Sequence, residues 1–254
     1  MLLAAAIATT GAQDAKPRVA FEAATIKRNV SLERSGSMGL EPGGRFRATN
    51  APVFWLISSA YGAFQRPLFE SQLIGAPDWL HSEPYDIIAK AGSDVATLKP
   101  DEQFRRIPDL LRSLLEERFG LKVHRETRQL PIYALVRLKK GETLGPRMTR
   151  SSLDCAKEST KCGYNGLPGH LTGGWITPAM LTNLLSNATE RVVVDRTGLD
   201  GRFDIELEWS PDQAATDKPS IFAALQEQLG LKLESDRGPV EVVVIDHVER
   251  PTED

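Results

Sequence analysis

Serine and histidine are the residues with which this sequence could carry out ester chemistry without a cofactor. An activated serine attacks a carbonyl carbon while a histidine takes its proton, and one common form of such a serine lies in a Gly-x-Ser-x-Gly turn. The nearest string is residues 35–39, SGSMG, which lacks the first glycine. Ser37 is therefore the candidate nucleophile, with His124 or His170 as its base. A flexible loop is the competing interpretation.

His81 is the histidine with the most carboxylates near it in the sequence. Asp78, Glu83 and Asp86 all lie within five residues of it. A neighbouring carboxylate stabilises the imidazolium form of a histidine, as a general base requires. His81 is therefore a further candidate catalytic residue, and a solvent-facing loop residue is the competing interpretation.

The acidic segment 195–204 carries the carboxylates that could bind a metal ion. It contains Asp195, Asp200, Asp204 and two turn glycines, and Ca²⁺ prefers several oxygen ligands on flexible loops. The spacing of an EF-hand loop is absent, so a plain turn at Asp200 is the competing interpretation. The four histidines are far apart in the sequence, and a dizinc site built on a dense histidine cluster is not expected.

Two similar units are predicted to position these residues. Residues 120–123 close an amphipathic helix and open a strand, and residues 230–233 repeat this pattern. Upstream, Tyr85-Asp86-Ile87 is echoed by Phe203-Asp204-Ile205. The repetition predicts an α+β fold made of two related helix-on-mixed-sheet units in tandem.

A turn-rich stretch, residues 140–168, is interpreted as the linker between a first unit at 19–139 and a second at 169–248. Both cysteines of the chain, Cys155 and Cys162, lie in this linker. In an exported chain such a close pair forms a local disulfide. In a cytosolic chain the pair would be two free thiols.

Apolar spacing predicts the main elements inside the units. Leucines at helical spacing predict a helix over residues 108–118. Residues 121–127 and 130–138 are expected to form a hairpin of two strands, and residues 231–235 and 239–245 a second hairpin.

Composition and charge restrict the classes of function. The chain has 254 residues and a net charge of −3, so electrostatics favour no nucleic-acid partner. No apolar run after the N-terminus is long enough to span a membrane. Residues 1–12 are apolar and end in small residues, which predicts a signal peptide and export to the periplasm or the medium. A disordered alanine-rich tail is the competing interpretation.

The order of elements over residues 171–245 resembles a known envelope module. A helix, a strand at Val192–Asp195, a strand from Phe203 and a helix ending near Gly230 occur in the same order in the short N-terminal domain of secretins and TonB-dependent receptors. That domain is non-catalytic and contacts proteins. The resemblance therefore implies a binding module with an envelope protein as its partner.

Four segments are similar to a second family over almost the whole mature chain. They are residues 21–27 (FEAATIK), 75–80 (GAPDWL), 197–204 (TGLDGRFD) and 224–234 (ALQEQLGLKLE). The family is soil-associated, bacterial and of the cell envelope, and is classed as a domain of unknown function. This resemblance implies hydrolysis of N-acyl-homoserine lactones, a quorum-quenching reaction, with Ca²⁺ as the implied cofactor. It carries over no catalytic residues.

Two hypotheses from different classes follow. The first is a hydrolase that opens the lactone ring of a small acyl lactone. The second is a non-catalytic secreted or periplasmic protein-binding module. Active residues are expected among features that the halves do not share, because the repeated glycines and leucines are scaffold residues.

Overall fold

The structure is a computed structural model in which helices and three four-stranded sheets confirm the predicted α+β class. The predicted signal peptide, residues 1–12, lies outside the described residues. The described residues are 19–31, 35–62, 68–138, 144–211 and 218–254.

Twelve strands and six α-helices are found in the described residues. The strands are β1 (Phe21–Arg28), β2 (Ser37–Glu41), β3 (Arg45–Pro52), β4 (Leu73–Ile74), β5 (Pro84–Ala91), β6 (Lys122–Arg137), β7 (Met148–Arg150), β8 (Gly163–Leu167), β9 (His170–Ile176), β10 (Val193–Asp195), β11 (Phe203–Glu208) and β12 (Leu231–His247). The helices are α1 (Val53–Tyr61), α2 (Trp79–Ser82), α3 (Ser93–Ala96), α4 (Pro100–Arg118), α5 (Pro178–Thr189) and α6 (Ile221–Ala224). A π-helical turn, Leu225–Leu229, continues α6.

The chain separates into two compact units whose limits differ from the predicted ones. Of the described residues, those within Met1–Pro67, Pro77–Lys122 and Asp246–Asp254 form unit 1, and those within Leu68–Ala76 and Val123–Ile245 form unit 2. The stretch interpreted as a linker contributes β7 and β8 to a sheet of unit 2. Its polar, turn-rich sequence is compatible with edge strands, which need no continuous apolar pattern.

Unit 1 is built on an antiparallel sheet with the strand order β1-β5-β3-β2. Ile26, Phe46 and Ile87 are fully or almost fully buried in its core. Helix α4 begins at Pro100 rather than at Pro108 as predicted, because a proline in the first turn of a helix loses no hydrogen bond.

Unit 2 contains a sheet with the order β7-β11-β9-β8 and a second sheet with the order β10-β6-β12-β4. The two predicted hairpins are wrong, since β6 and β12 are each one long strand. Tight hairpin turns need residues with positive φ, and no residue of β6 or β12 has one. The polar residues that the prediction took for turns lie within extended strands.

A strand bulge in unit 1 is held by an aspartate of the neighbouring strand. The register of β3 against β5 shifts between Ala48 and Ala51, and Asn50 within this shift has a φ of 48°. The N–H of Asn50 donates a hydrogen bond to Oδ1 of Asp86 at 2.8 Å. The carboxylate thereby stabilises the left-handed conformation that the bulge requires.

The same contact is found in unit 2. The register of β11 against β9 shifts between Phe203 and Ile205, and Trp175, in the shifted stretch of β9, has a φ of 64°. Its N–H donates to Oδ1 of Asp204 at 3.0 Å. Asp86 and Asp204 are the middle residues of the two triplets that the sequence repeats, residues 85–87 and 203–205. The two aspartates therefore perform the same structural task.

Replacing each aspartate by alanine should lower stability unequally. Asp86 also accepts two hydrogen bonds from Nδ2 of Asn29, at 2.9 and 3.0 Å. Asp86→Ala removes all three bonds and should lower the free energy of unfolding by about 2–4 kcal/mol. Asp204→Ala removes the bond to Trp175 and should cost about 1 kcal/mol. Urea unfolding of both variants measures the difference, and equal losses would contradict this account.

Candidate functional site

Strand β11 presents acidic side chains on the outer face of its sheet. Successive side chains of a strand point to opposite faces, and the burial of β11 alternates accordingly. The residues that face the core are Phe203, Ile205 and Leu207. The residues that alternate with them are Asp204, Glu206 and Glu208.

A cleft of about 580 Å³ lies over this acidic face. Arg147, Asp204 and Glu206 line it on the side of the sheet, and Lys161 and Cys162 line it on the side of a loop. The cleft therefore has a polar floor with charges of both signs.

The loop that walls this cleft is closed by a disulfide between Cys155 and Cys162. The predicted local disulfide is thereby confirmed. The bond restricts a loop that would otherwise lose more conformational entropy on folding.

One histidine and two carboxylates meet at the edge of the cleft. His170 is the register partner of Glu208 across β9 and β11, and its Nε2 lies 3.9 Å from Oε1 of Glu206. One ligand atom from each of His170, Glu206 and Glu208 lies within 4.8 Å of the others. Because Glu206 also lines the cleft, this His170 cluster is within reach of a molecule bound there.

Arg147 neutralises part of the negative charge of the His170 cluster. Its Nη1 lies 3.2 Å from Oε2 of Glu208 and 3.8 Å from Oε1 of Glu206. The hydrogen bond from Arg147, assisted by the charge of Lys218, lowers the pKa of Glu208. Glu208 is therefore held as a carboxylate, and the guanidinium of Arg147 lies at the wall of the cleft.

The donor set of the His170 cluster suits some metal ions better than others. In the described part of the chain it is the one group of three or more His, Cys, Asp or Glu ligands with this proximity. An imidazole with two carboxylates fits Zn²⁺, whereas Ca²⁺ takes oxygen ligands.

The three aspartates predicted to bind Ca²⁺ have other contacts. Oδ1 of Asp195 accepts hydrogen bonds from N and Oγ1 of Thr197, at 2.9 and 2.7 Å. The side chain of Asp200 is 95% exposed and lies 3.6 Å from Arg150. Asp204 holds the bulge at Trp175. Among the described residues, the structure does not gather these three carboxylates into one ligand group.

The remaining candidate catalytic residues lie in separate places. Ser37 begins β2 in unit 1, is exposed and pairs with Thr49. His81 belongs to α2 in the same unit, and its ring stacks on Phe54 with 4.6 Å between centroids. His124 is exposed on β6 in unit 2. No hydrogen bond between a candidate serine and a candidate histidine is found in the described hydrogen bonds.

Sequence reasoning selected His170 and missed the groups around it. The alternation Asp204-x-Glu206-x-Glu208 in a predicted strand is a signal that could have placed both glutamates on one face. Arg147 had no such signal, because it lies in the stretch interpreted as a linker.

Residues 55–248 match a family described as a protein of unknown function, DUF3738. The chain belongs to this family. The match includes the whole His170 cluster and Arg147, whereas Ser37 lies before its first residue. No curated protein and no solved structure matches the DUF3738 protein. None of the helices in the part that the structure describes is long and apolar enough to cross a membrane.

Removal of the Arg147 charge should raise the pKa of Glu208. In Arg147→Met the carboxylate loses its hydrogen bond and closest cation, so its pKa should move up towards its ordinary value. In the parent protein the stabilisation from this pair is present above the unfolded-state pKa and is lost as the pH falls through the lower folded-state pKa. Carboxyl ¹³C NMR titration measures the shift.

Arg150→Met is the matched control, because Arg150 lies beside Asp200 instead. It should leave the Glu208 titration in place. An unchanged Glu208 pKa in Arg147→Met would show that this ion pair does not form in solution.

Proposed function

We propose that this DUF3738 protein is an exported hydrolase that opens the lactone ring of N-acyl-homoserine lactones at the cleft of unit 2. The observation that supports it is the pairing of His170 with Glu206 at the edge of a cleft that Arg147 also lines. The substrate class rests on the sequence resemblance. The geometry supports His170 as the base, Glu206 as the group that orients it and Arg147 as the cation.

In this proposal His170 acts as a general base on water. Glu206 lies 3.9 Å from its Nε2, and a carboxylate at this side stabilises the imidazolium that forms. Water oxygen bonds to the lactone carbonyl carbon while its proton passes to His170. General-base catalysis of this kind contributes about 10²–10⁴-fold to rate.

Arg147 and His170 then complete the reaction. The guanidinium of Arg147 stabilises the negative charge that develops on the carbonyl oxygen. The ring C–O bond breaks, and the ring oxygen takes the proton back from His170. The product is the open N-acyl-homoserine. Its new carboxylic acid loses a proton to the solvent, and the resulting carboxylate can pair with Arg147.

Metal dependence is part of the proposal as an alternative role for the same donors. His170, Glu206 and Glu208 would hold the ion. The ion predicted from the sequence is Ca²⁺, but Zn²⁺ suits this donor set better because it accepts an imidazole ligand. A bound divalent ion would supply Lewis-acid polarisation of the ester carbonyl.

Export is supported by the Cys155–Cys162 disulfide. Structural disulfides persist in oxidising compartments such as the bacterial periplasm and are rare in the cytosol. The predicted signal peptide would deliver the chain to such a compartment.

A second candidate function, a non-catalytic protein-binding module, is favoured by the edge strand β8. This strand ends its sheet and contains no charged residue or proline, the usual protection of an edge. Tyr164 and Leu167 are 44% and 65% exposed. An extended segment of an envelope protein could add to this edge through main-chain hydrogen bonds.

The hydrolase proposal is tested with the purified mature protein and an N-acyl-homoserine lactone, with added Ca²⁺, with added Zn²⁺ and with a chelator. Mass spectrometry detects the gain of one water on ring opening. His170→Ala and Glu206→Gln should each lower kcat/KM by about 10²-fold or more. Retained activity in the chelator arm supports His170 as base, and loss that Zn²⁺ or Ca²⁺ restores supports the metal-binding role.

His247→Ala is the matched control, because His247 also lies beside a glutamate, Glu249, at 3.7 Å. It should keep the parent rate. Absence of product under every metal condition would contradict the hydrolase proposal. Full activity of His170→Ala would show that the reaction does not take place at this site.

The edge-strand alternative is tested with a synthetic peptide that copies β9, the natural neighbour of β8. If the edge accepts a strand, the peptide should slow amide exchange in β8, as measured by hydrogen–deuterium exchange. Leu167→Lys introduces a charge that should abolish this protection. Protection that persists in Leu167→Lys, or none in the parent protein, would contradict the alternative.

A further inference from the structure

Unit 1 contains a second cleft, of about 420 Å³, that the proposed hydrolase does not use. It lies beside the first turn of α1 and the short helix α2. Among the described residues, its lining contains a guanidinium, an imidazole and an exposed indole, and no carboxylate. Arg28, His81 and Trp55 carry these groups, and Asn29 and Asn50 also line the cleft.

Arg28 gives this cleft a positive charge that is incompletely compensated. Its closest described carboxylate is that of Glu83, at 3.7 Å. Arg250 already binds both oxygens of Glu83, at 2.9 and 2.7 Å, and this hydrogen bonding lowers the pKa of Glu83. Since the strong pair is Glu83 with Arg250, Arg28 remains available to a further anion.

Trp55 supplies a flat apolar wall. It is 37% exposed, although most neighbouring residues of α1 are buried. Gly36 lies against it, and a Cβ at that position would come within 3.0 Å of the indole and 2.3 Å of the carbonyl oxygen of Asn50. The absence of a side chain at Gly36 therefore leaves room for the indole at this position.

A hydrogen-bond network holds two residues of the lining, Asn29 and Asn50. Asp86 accepts hydrogen bonds from the side chain of Asn29 and the N–H of Asn50. Nδ2 of Asn50 in turn donates to the carbonyl of Ser35 at 3.1 Å. A site whose walls are fixed before binding loses little entropy when a ligand enters.

We infer that this cleft binds a small organic acid, with its carboxylate on Arg28 and a flat ring or apolar body against the indole of Trp55. A carboxylate is favoured over a neutral polar group because the described lining carries the guanidinium of Arg28 and no acid. A planar body is favoured because an indole offers its largest contact area to a flat partner. His81, stacked on Phe54, can donate a further hydrogen bond to the acid.

Benzoate is a suitable probe, and benzamide is its neutral counterpart of the same shape. Titration of each into the full-length protein is followed by the indole N–H signals in ¹⁵N NMR, with Trp55→Phe used to assign the Trp55 signal. Benzoate should shift this signal in a saturable manner. Benzamide should bind about tenfold more weakly, because it lacks the charge that Arg28 recognises.

Variants locate the two contacts. Arg28→Gln should weaken benzoate about tenfold and leave benzamide unchanged, whereas Trp55→Ala should weaken both, by about fivefold. Isothermal titration calorimetry measures the affinities of these variants. Trp175→Ala is the matched control, since Trp175 is also 37% exposed but lies outside this cleft. Circular dichroism verifies that each variant is folded.

Two results would overturn the inference. If benzamide binds as tightly as benzoate, the cleft does not recognise a carboxylate. Parent-like benzoate affinity in a folded Arg28→Gln or Trp55→Ala protein would show that the acid does not occupy this cleft.

Discussion

The hydrogen bond from a bulged strand to an aspartate of its neighbour is the interaction on which both antiparallel sheets depend. Asp86 holds Asn50 in unit 1, and Asp204 holds Trp175 in unit 2. In each case the bulge lies at the end of a strand that leads directly into a helix. The carboxylate thereby fixes the local bend from which the chain enters α1 or α5. In unit 1 the same aspartate also holds Asn29 and Asn50, which line a cleft.

The fold class was predictable because its determinants are local. Gly120 and Gly230 were expected at the ends of helices, and both have left-handed φ values, 58° and 69°, which glycine adopts without steric cost. The two long strands were not predictable, because their polar middles resemble turns when each segment is considered alone. Their extended form depends on pairing with other strands, and a pattern within one segment contains no information on such pairing.

The candidate site was even less predictable from single segments of the sequence than the two long strands. His170 could be selected as one of four histidines, but nothing in its own segment indicates Glu206, Glu208 or Arg147. These groups meet because β9 and β11 pair in one particular register, and a shift by one residue would turn the carboxylates into the core. The acidic loop drew attention by composition. In the structure Asp195 holds a turn, Asp200 is exposed beside Arg150 and Asp204 holds a bulge. A count of carboxylates does not distinguish these arrangements from metal binding.

The left-handed tryptophan makes the bend of β9 depend on a distant part of the chain. A bulky residue with positive φ costs about 1–3 kcal/mol, and the acceptor that offsets this cost, Asp204, follows Trp175 by 29 residues. The cation of Arg202, 4.0 Å above the indole ring, comes from the same later segment. The stability of the bend in β9 therefore depends on β11, its neighbour in the sheet. Contacts between segments so far apart in the chain form more slowly than local ones.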